Sequence, residues 1–313
     1  MLYKPQIIGE GNVFHRILAA TALPNQIDPP VVSALKLAAA HQADLVVLHV
    51  LPAEPGPAND IGPWTATDAV PYEDADQVLA GMQHRYQKHS QIYSHLRFET
   101  RRGTAWETIA KTASWIDADA IVLGPHVPGR HLSSAHGKLT GTAQGVLHRA
   151  ARPVMIAGRN ISIRMTRMKT IVVCIDFSDS CRLALLLAAR LAREHDSNVY
   201  LLHIHGIPPF PGYTQQHYID DTRRLKQHLQ IFANQNAPGL SCELAVLGGS
   251  QPHGAILNFV QSLNADLVVM GSGSGSQNRR WYVGSAVENV SRECYCPVAV
   301  VPTMQSGTDF QTE

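Results

Sequence analysis

Charge is scarce in this chain: Asp, Glu, Lys and Arg make up 16% of its 313 residues, and 26 basic side chains against 25 acidic ones leave a formal net charge of +1. A dedicated nucleic-acid or acidic-membrane binder presents a clustered basic surface, so this balance argues against both. Cysteine is missing from residues 1–173; the five present, Cys174, Cys181, Cys242, Cys294 and Cys296, are an odd number confined to the second half. That distribution does not make a disulfide framework, and a reducing compartment is expected. No apolar run reaches the roughly 18 residues that span a bilayer. The opening MLYKPQIIGEG lacks the long apolar region of a secretory signal, so the expected address is the cytoplasm. Also lacking are a G-x-S-x-G elbow, a Gly-Lys-Ser/Thr P-loop ending and a paired-carboxylate pattern, which turns the expectation from enzyme towards binding or sensing.

What the chain has is a repeat. HRILAATALPN around Ile17, with VVSALKLAAAHQADLVVLHVLP from Val31, is answered by KTIVVCIDFSD from Lys169 and CRLALLLAARLAREHDSNVYLLHIHG from Cys181. Ile17 lies 154 residues before Ile171, and Leu48 lies 154 before Leu202. Unrelated segments rarely keep register across a strand, a helix and a second strand, so the chain reads as two copies of one domain, 1–158 and 169–303.

Each copy opens on a β-branched run, Ile17–Ala20 or Ile171–Ile175. An Ala-rich stretch of helical length and a second apolar run, Leu45–Val50 or Val199–Ile204, follow. Strands apolar on both faces, alternating with helices, are the pattern of a parallel sheet covered on two sides. Pro-rich loops come next, then helices expected near Asp74–His95 and Ile219–Asn234, and third strands near Ile92–Thr100 and Ser241–Leu247. Helices at Ala105–Trp115 and Gly254–Leu263 lead to closely matched fourth strands, Ala118–Gly124 and Ala265–Gly271. A last helix and strand, Arg152-Pro153-Val154-Met155-Ile156 or Cys296-Pro297-Val298-Ala299-Val300-Val301, complete five strands per copy.

The order of these elements, with the second copy ending in apolar strand, Gly, loop, Gly-Ser, helix and Cys-Pro-Val-Ala-Val-Val, resembles the universal stress protein family in its tandem form, over roughly Phe14–Ala157 and Lys169–Pro302. The resemblance implies an α/β fold of two repeated domains, each an open five-stranded parallel sheet with helices on both faces, of the adenine nucleotide alpha hydrolase-like kind. It implies ATP or a related adenine nucleotide held by loops beyond the strand ends; whether Mg2+ accompanies it is left open by the sequence. It also implies pairing through the last strands, which one chain with two copies can satisfy as an internal pseudo-dimer; a homodimer of such chains is a further expectation.

The family motif is an Asp ending the first strand and a loop G-x-x-G, nine residues, then G-S or G-T. The second copy matches with Asp176, Gly271 and Gly284-Ser285, although Ser274, between Gly273 and Gly275, stands at the middle glycine. By resemblance Asp176 meets the ribose or adenine-bearing part, and Ile204 ends the second strand as an apolar wall for a base. Gly271-Ser272-Gly273-Ser274-Gly275-Ser276 offers six consecutive amides and no bulky side chain, which suits a phosphate; Arg279 and Arg280 follow within the loop. Ser285, next to Gly284 at the expected start of the last helix, is a candidate both to cap that helix and to turn its hydroxyl or amide towards a phosphate. The bland readings remain open beside these: a flexible Gly-Ser surface loop, and Asp176 as a turn residue in Asp176-Phe177-Ser178-Asp179-Ser180.

The first copy departs from the motif. Ala22 stands where the Asp belongs, Pro125 follows Gly124 and brings no N–H, and Gly141-Thr142 arrives four residues late. This copy is expected to bind a nucleotide weakly, bind something else, or serve as a structural partner. Among 16 histidines, His203 and His205 share one side of a strand, where a core or strand-end role outweighs a metal; His126, His131 and His136 fix no tetrahedron by spacing. Cys294-Tyr295-Cys296 has one intervening residue where redox and zinc pairs have two, so buried thiols are expected. The leading functional reading is a stress-response sensor or regulatory binder with its nucleotide in the second copy, capable at most of weak ATP hydrolysis. Beside it stand a nucleotide-independent scaffold presenting the Pro-rich loops to a protein partner, and an enzyme acting on a phosphorylated or adenylated small molecule.

Overall fold

The computed structural model describes residues 12–22, 27–53, 74–125, 141–158, 168–207, 212–273 and 284–303. The first half runs β1 (Arg16–Thr21), α1 (Pro29–His41), β2 (Asp44–Leu51), α2 (Ala75–Arg85), α3 (Gln87–Ile92), β3 (Leu96–Arg102), α4 (Ala105–Trp115), β4 (Ala120–Leu123), α5 (Gly141–Arg149) and β5 (Val154–Ile156). The second half repeats it as β6 (Thr170–Cys174), α6 (Asp179–His195), β7 (Asn198–His205), α7 (Gln215–Asn236), β8 (Cys242–Gly248), α8 (Pro252–Ser262), β9 (Leu267–Gly271), α9 (Ser285–Glu293) and β10 (Val298–Val301).

All ten strands form one sheet in the order β3-β2-β1-β4-β5-β10-β9-β6-β7-β8. Within each half the pairings are parallel, and the halves join where β5 and β10 run antiparallel, with Val298 opposite Ile156 and Val300 opposite Val154. The last strands therefore cover each other inside the chain, so neither is left as an open edge. The seam is tight at its end: a Cβ on Gly158 would lie 2.3 Å from the Tyr295 carbonyl oxygen, a separation only glycine permits.

Inner strands are largely apolar because helices cover both faces; β4 (AIVL), β9 (LVVMG) and β10 (VAVV) are buried at every position. One face carries α1, α6 and α7, the other α4, α5, α8 and α9, each with its own apolar core running through both halves. The outer strand β3 (LRFETRR) carries charge instead, as suits an edge. Fine details repeat as well. Asp119 Oδ2 accepts from the His15 and Arg16 amides, and Asp266 Oδ2 from those of Lys169 and Thr170, tying the end of the fourth-strand turn to the start of the first strand in each half.

Element limits differ from the sequence expectation where tertiary contacts intervene. The helix expected over Asp74–His95 breaks at Tyr86, a fully buried ring packed on Phe98 whose hydroxyl accepts from the Asp28 amide. The third strand starts at Leu96 because α3 continues to Ile92, whose side chain is exposed. Helix α1 begins two residues before Val31, at Pro29-Pro30, where proline's missing N–H costs nothing. Helix α7 begins at Gln215, not Ile219, under a capping box between Thr214 and His217.

Candidate functional site

Strand order reverses in each half between the first and fourth strands, β1 and β4 or β6 and β9, and the crevice beyond such a reversal is where open α/β sheets take ligands. In the second half Asp176 follows β6, Ile204 lies near the end of β7 and Gly271 ends β9, so three of the sequence candidates stand at one edge of three adjacent strands. Gly273 and Gly284 meet beside them: a Cβ on Gly273, whose φ is 111°, would lie 3.1 Å from the Gly284 nitrogen. The Gly284 amide donates to the Ser272 carbonyl at 3.1 Å, closing the neck of the loop. Ser274, Gly275, Ser276, Arg279 and Arg280 lie outside the described residues.

Asp176 is exposed and acts in a turn. Its Oδ1 accepts from the Ser178 amide at 3.0 Å and from Cys181 Sγ at 2.8 Å. Burial of part of the group works against its charge, but the donors from Cys181 and Ser178 outweigh it and hold the carboxyl below its ordinary value. The Cys181 thiol responds in the opposite sense: burial, then the adjacent Asp176 charge, push it up to about 12. Next in sequence, Phe177 sits at φ 64° and lays its ring against His203 and Phe232.

Two local expectations need correction. The Ser272 amide already donates to the Val301 carbonyl at 2.9 Å, so the run from Gly271 does not offer six free amides; sheet pairing continues one residue past β9. Ser285 does not cap α9: the cap is Gly284, there is no side-chain cap bond, and Ser285 is the first helical residue, exposed. An α-helix leaves its first amides without partners inside the helix, and those of α9 lie beside Gly273. Gly271 has a second reason to be glycine, since a Cβ there would lie 2.4 Å from Ser180 Oγ and 2.7 Å from the Cys181 nitrogen.

The first half builds the equivalent edge differently. Ala22 has no carboxylate, yet one is present: Asp28, buried at the start of α1, accepts from Thr21 Oγ1 at 2.7 Å and from the Ala22 amide at 3.2 Å. Sequence register hides this, because Asp28 comes from the far end of a longer loop. The two strand-end histidines are structural counterparts: His49 Nδ1 lies 2.9 Å from the Thr21 carbonyl and His203 Nδ1 2.8 Å from that of Ile175. His205 pairs with Tyr213, which donates to Asp221. Cys294 and Cys296 are buried, their sulfurs 3.5 Å apart. His126, His131 and His136 lie outside the described residues.

A constellation that sequence spacing could not reveal lies at the junction of the halves. His41 ends α1 and His195 ends α6; both are buried, and their Nε2 atoms are 3.4 Å apart. Glu194 Oε1 is 2.7 Å from His41 Nδ1. Burial holds both imidazoles below their ordinary value, against the upward pull of Glu194.

The fold and this edge define a tandem, doubly wound α/β protein with two copies joined through their last strands. The family model described as "Universal stress protein family" matches residues 14–158 and again 168–302, and the chain belongs to that family as a two-domain member. A universal stress protein of Thermus aquaticus is 32% identical over 136 residues, 42% of this chain and 98% of its own; one from Methanocaldococcus jannaschii is 30% identical over 139 residues, 42% of this chain and 81% of its own. Among solved structures, a universal stress protein from Archaeoglobus fulgidus covers 94% of this chain and 98% of its own at TM-score 0.60 and 19% identity. A functionally unknown protein from Pseudomonas aeruginosa covers 93% of both at TM-score 0.65 and 17% identity. Among the described residues no helix is long and apolar enough to cross a membrane.

Proposed function

We propose that the second copy, residues 169–303, binds ATP or a related adenine nucleotide, and that the chain is a sensor or regulatory binder in which the first copy, residues 1–158, is chiefly a structural partner. On this reading each half is adenine nucleotide alpha hydrolase-like. One observation carries it: Asp176, Ile204 and Gly271 come together at a strand-order reversal, with the uncapped start of α9 brought beside them by the Gly284–Ser272 bond. The helix start supplies amides and a positive dipole end for a phosphate. Both bonds to Asp176 fall on Oδ1, which leaves Oδ2 for a ribose hydroxyl. In the first half, the Asp28 carboxylate takes the strand-end amide and hydroxyl instead, and Pro125 offers no N–H.

Calorimetric titration with ATP, with and without Mg2+, tests the proposal. One site per chain is expected, lost in Gly284→Asp, which places a like charge and a side chain at the helix start, and weakened in Asp176→Ala. Equal binding by the intact chain and Gly284→Asp refutes the placement. No binding by the intact chain favours the nucleotide-independent scaffold.

A further inference from the structure

We propose that His41 and His195 form a binding site for a divalent d-block cation of the Zn2+ or Co2+ class at the junction of the two copies, with Glu194 orienting His41. The two histidines are the same residue of the repeat: they lie 154 positions apart, the offset that relates Ile17 to Ile171, and each closes its helix before a left-handed cap residue, Gln42 or Asp196. Helices α1 and α6 lie on one face of the sheet and meet across the β5–β10 seam, so duplication has brought two copies of one side chain together.

Their geometry suits a cation better than a hydrogen bond. At 3.4 Å the Nε2 atoms are beyond the roughly 2.7–3.2 Å of a good N–H···acceptor contact. Two imidazole nitrogens about 2.0–2.1 Å from one tetrahedral cation stand about 3.3–3.4 Å apart. The rings meet edge to face, centroids 5.0 Å apart at 89°. Glu194 Oε1, 2.7 Å from His41 Nδ1, keeps the ring proton on that nitrogen and leaves the Nε2 lone pair facing His195. A carboxylate on the far nitrogen is the support that metal-ligating histidines characteristically have. Glu194 is itself held, its second oxygen accepting from the Val13 amide at 3.0 Å, while Phe14 packs edge-on against His41.

Without a cation, the His195 proton sits on Nε2 in a long, weak contact with His41 Nε2. With one, the His195 proton moves to Nδ1, both lone pairs converge, and water fills the remaining positions. Glu194, in contact with His41, keeps 20% of its side-chain surface exposed, and His195 keeps 8%. The repeat partner of Glu194 is Ala40, so a single carboxylate orients the pair. A bound cation crosslinks the two helices and so the two copies.

Titration of the full, tag-free chain with Co2+, followed by visible absorption and calorimetry, tests the site. The expected result is one equivalent with the spectrum of a tetrahedral nitrogen and oxygen site and a raised melting temperature. That equivalent is lost in His195→Asn, weakened about 10- to 100-fold in Glu194→Gln, and unchanged in His205→Asn. Circular dichroism establishes folding; should His195→Asn fail to fold, the near-isosteric Glu194→Gln decides. An intact chain without that equivalent overturns the proposal, as does unaltered affinity in either Glu194→Gln or folded His195→Asn.

Discussion

Gly271→Ala separates packing from ligand binding at the edge of β9. The added methyl carbon would lie 2.4 Å from Ser180 Oγ and 2.7 Å from both the Cys181 nitrogen and the Ser180 carbonyl carbon. That is roughly 1 Å inside ordinary contact distance. Ser180 Oγ can turn away, but the backbone atoms of α6 cannot move without shifting a helix whose Ala184, Leu185 and Ala188 are buried. Overpacking of this kind costs about 1–3 kcal/mol, while replacing a strand glycine with alanine returns roughly 0.5–1 kcal/mol. Contacts this short with backbone atoms put the cost in the upper part of its range, so the net expectation is a loss of about 1–2 kcal/mol. Equilibrium urea unfolding should show it as a fall in midpoint of roughly half a molar or more with unchanged slope. In a Ser180→Ala background part of the loss should be relieved and part retained, because the two backbone contacts persist. Gly284→Ala is the contrast: among the described residues its Cβ would find no atom nearer than 4.0 Å, so only the cap preference should register. A loss below about 0.5 kcal/mol in Gly271→Ala would refute the packing argument and leave Gly271 to the ligand alone.

The thiols should react in order of access in native protein treated with DTNB at pH 8: half-buried Cys242 first, with Cys174 and Cys181 waiting on unfolding, since burial raises both and puts Cys181 at about 12. Fast modification of Cys181 without unfolding would contradict that environment. Asp176, whose carboxyl is held below its ordinary value, contributes stability that is fully present above the unfolded carboxylate range and is lost as pH falls through the lower folded value. The stability gap between the intact chain and Asp176→Asn should therefore be constant near neutral pH and shrink below about pH 4; acid unfolding curves that stay parallel speak against the bonds from Ser178 and Cys181. His203→Phe removes the donor to the Ile175 carbonyl and should cost about 1 kcal/mol in urea unfolding. The same variant should keep its Co2+ stoichiometry; a changed stoichiometry would return His203 to the metal candidates.

Duplication was legible in the sequence because register survives across strand, helix and strand, and two-sided burial writes itself as continuous apolar runs such as Leu-Val-Val-Met. Side-chain chemistry at a distance was not. Ala22 correctly signals a missing strand-end carboxylate, yet nothing local announces that Asp28 returns from a longer loop to bond Thr21 and the Ala22 amide. The Gly-Ser run reads as a row of free amides until sheet pairing claims Ser272 and the neck bond claims Gly284. Tyr86 breaks a helix that its own neighbours favour, because its buried ring and its bond with Asp28 belong to another element.

Sequence pattern by itself determined the number of strands and their parallel covering by helices, since these depend on period, turn chemistry and repeat offset. The resemblance already implied pairing of the last strands inside one chain; only the tertiary structure decided that they run antiparallel and that this sets His41 against His195. Contacts between residues 154 positions apart leave no trace in local spacing; they exist only once the closing sheet has fixed where the two helices end.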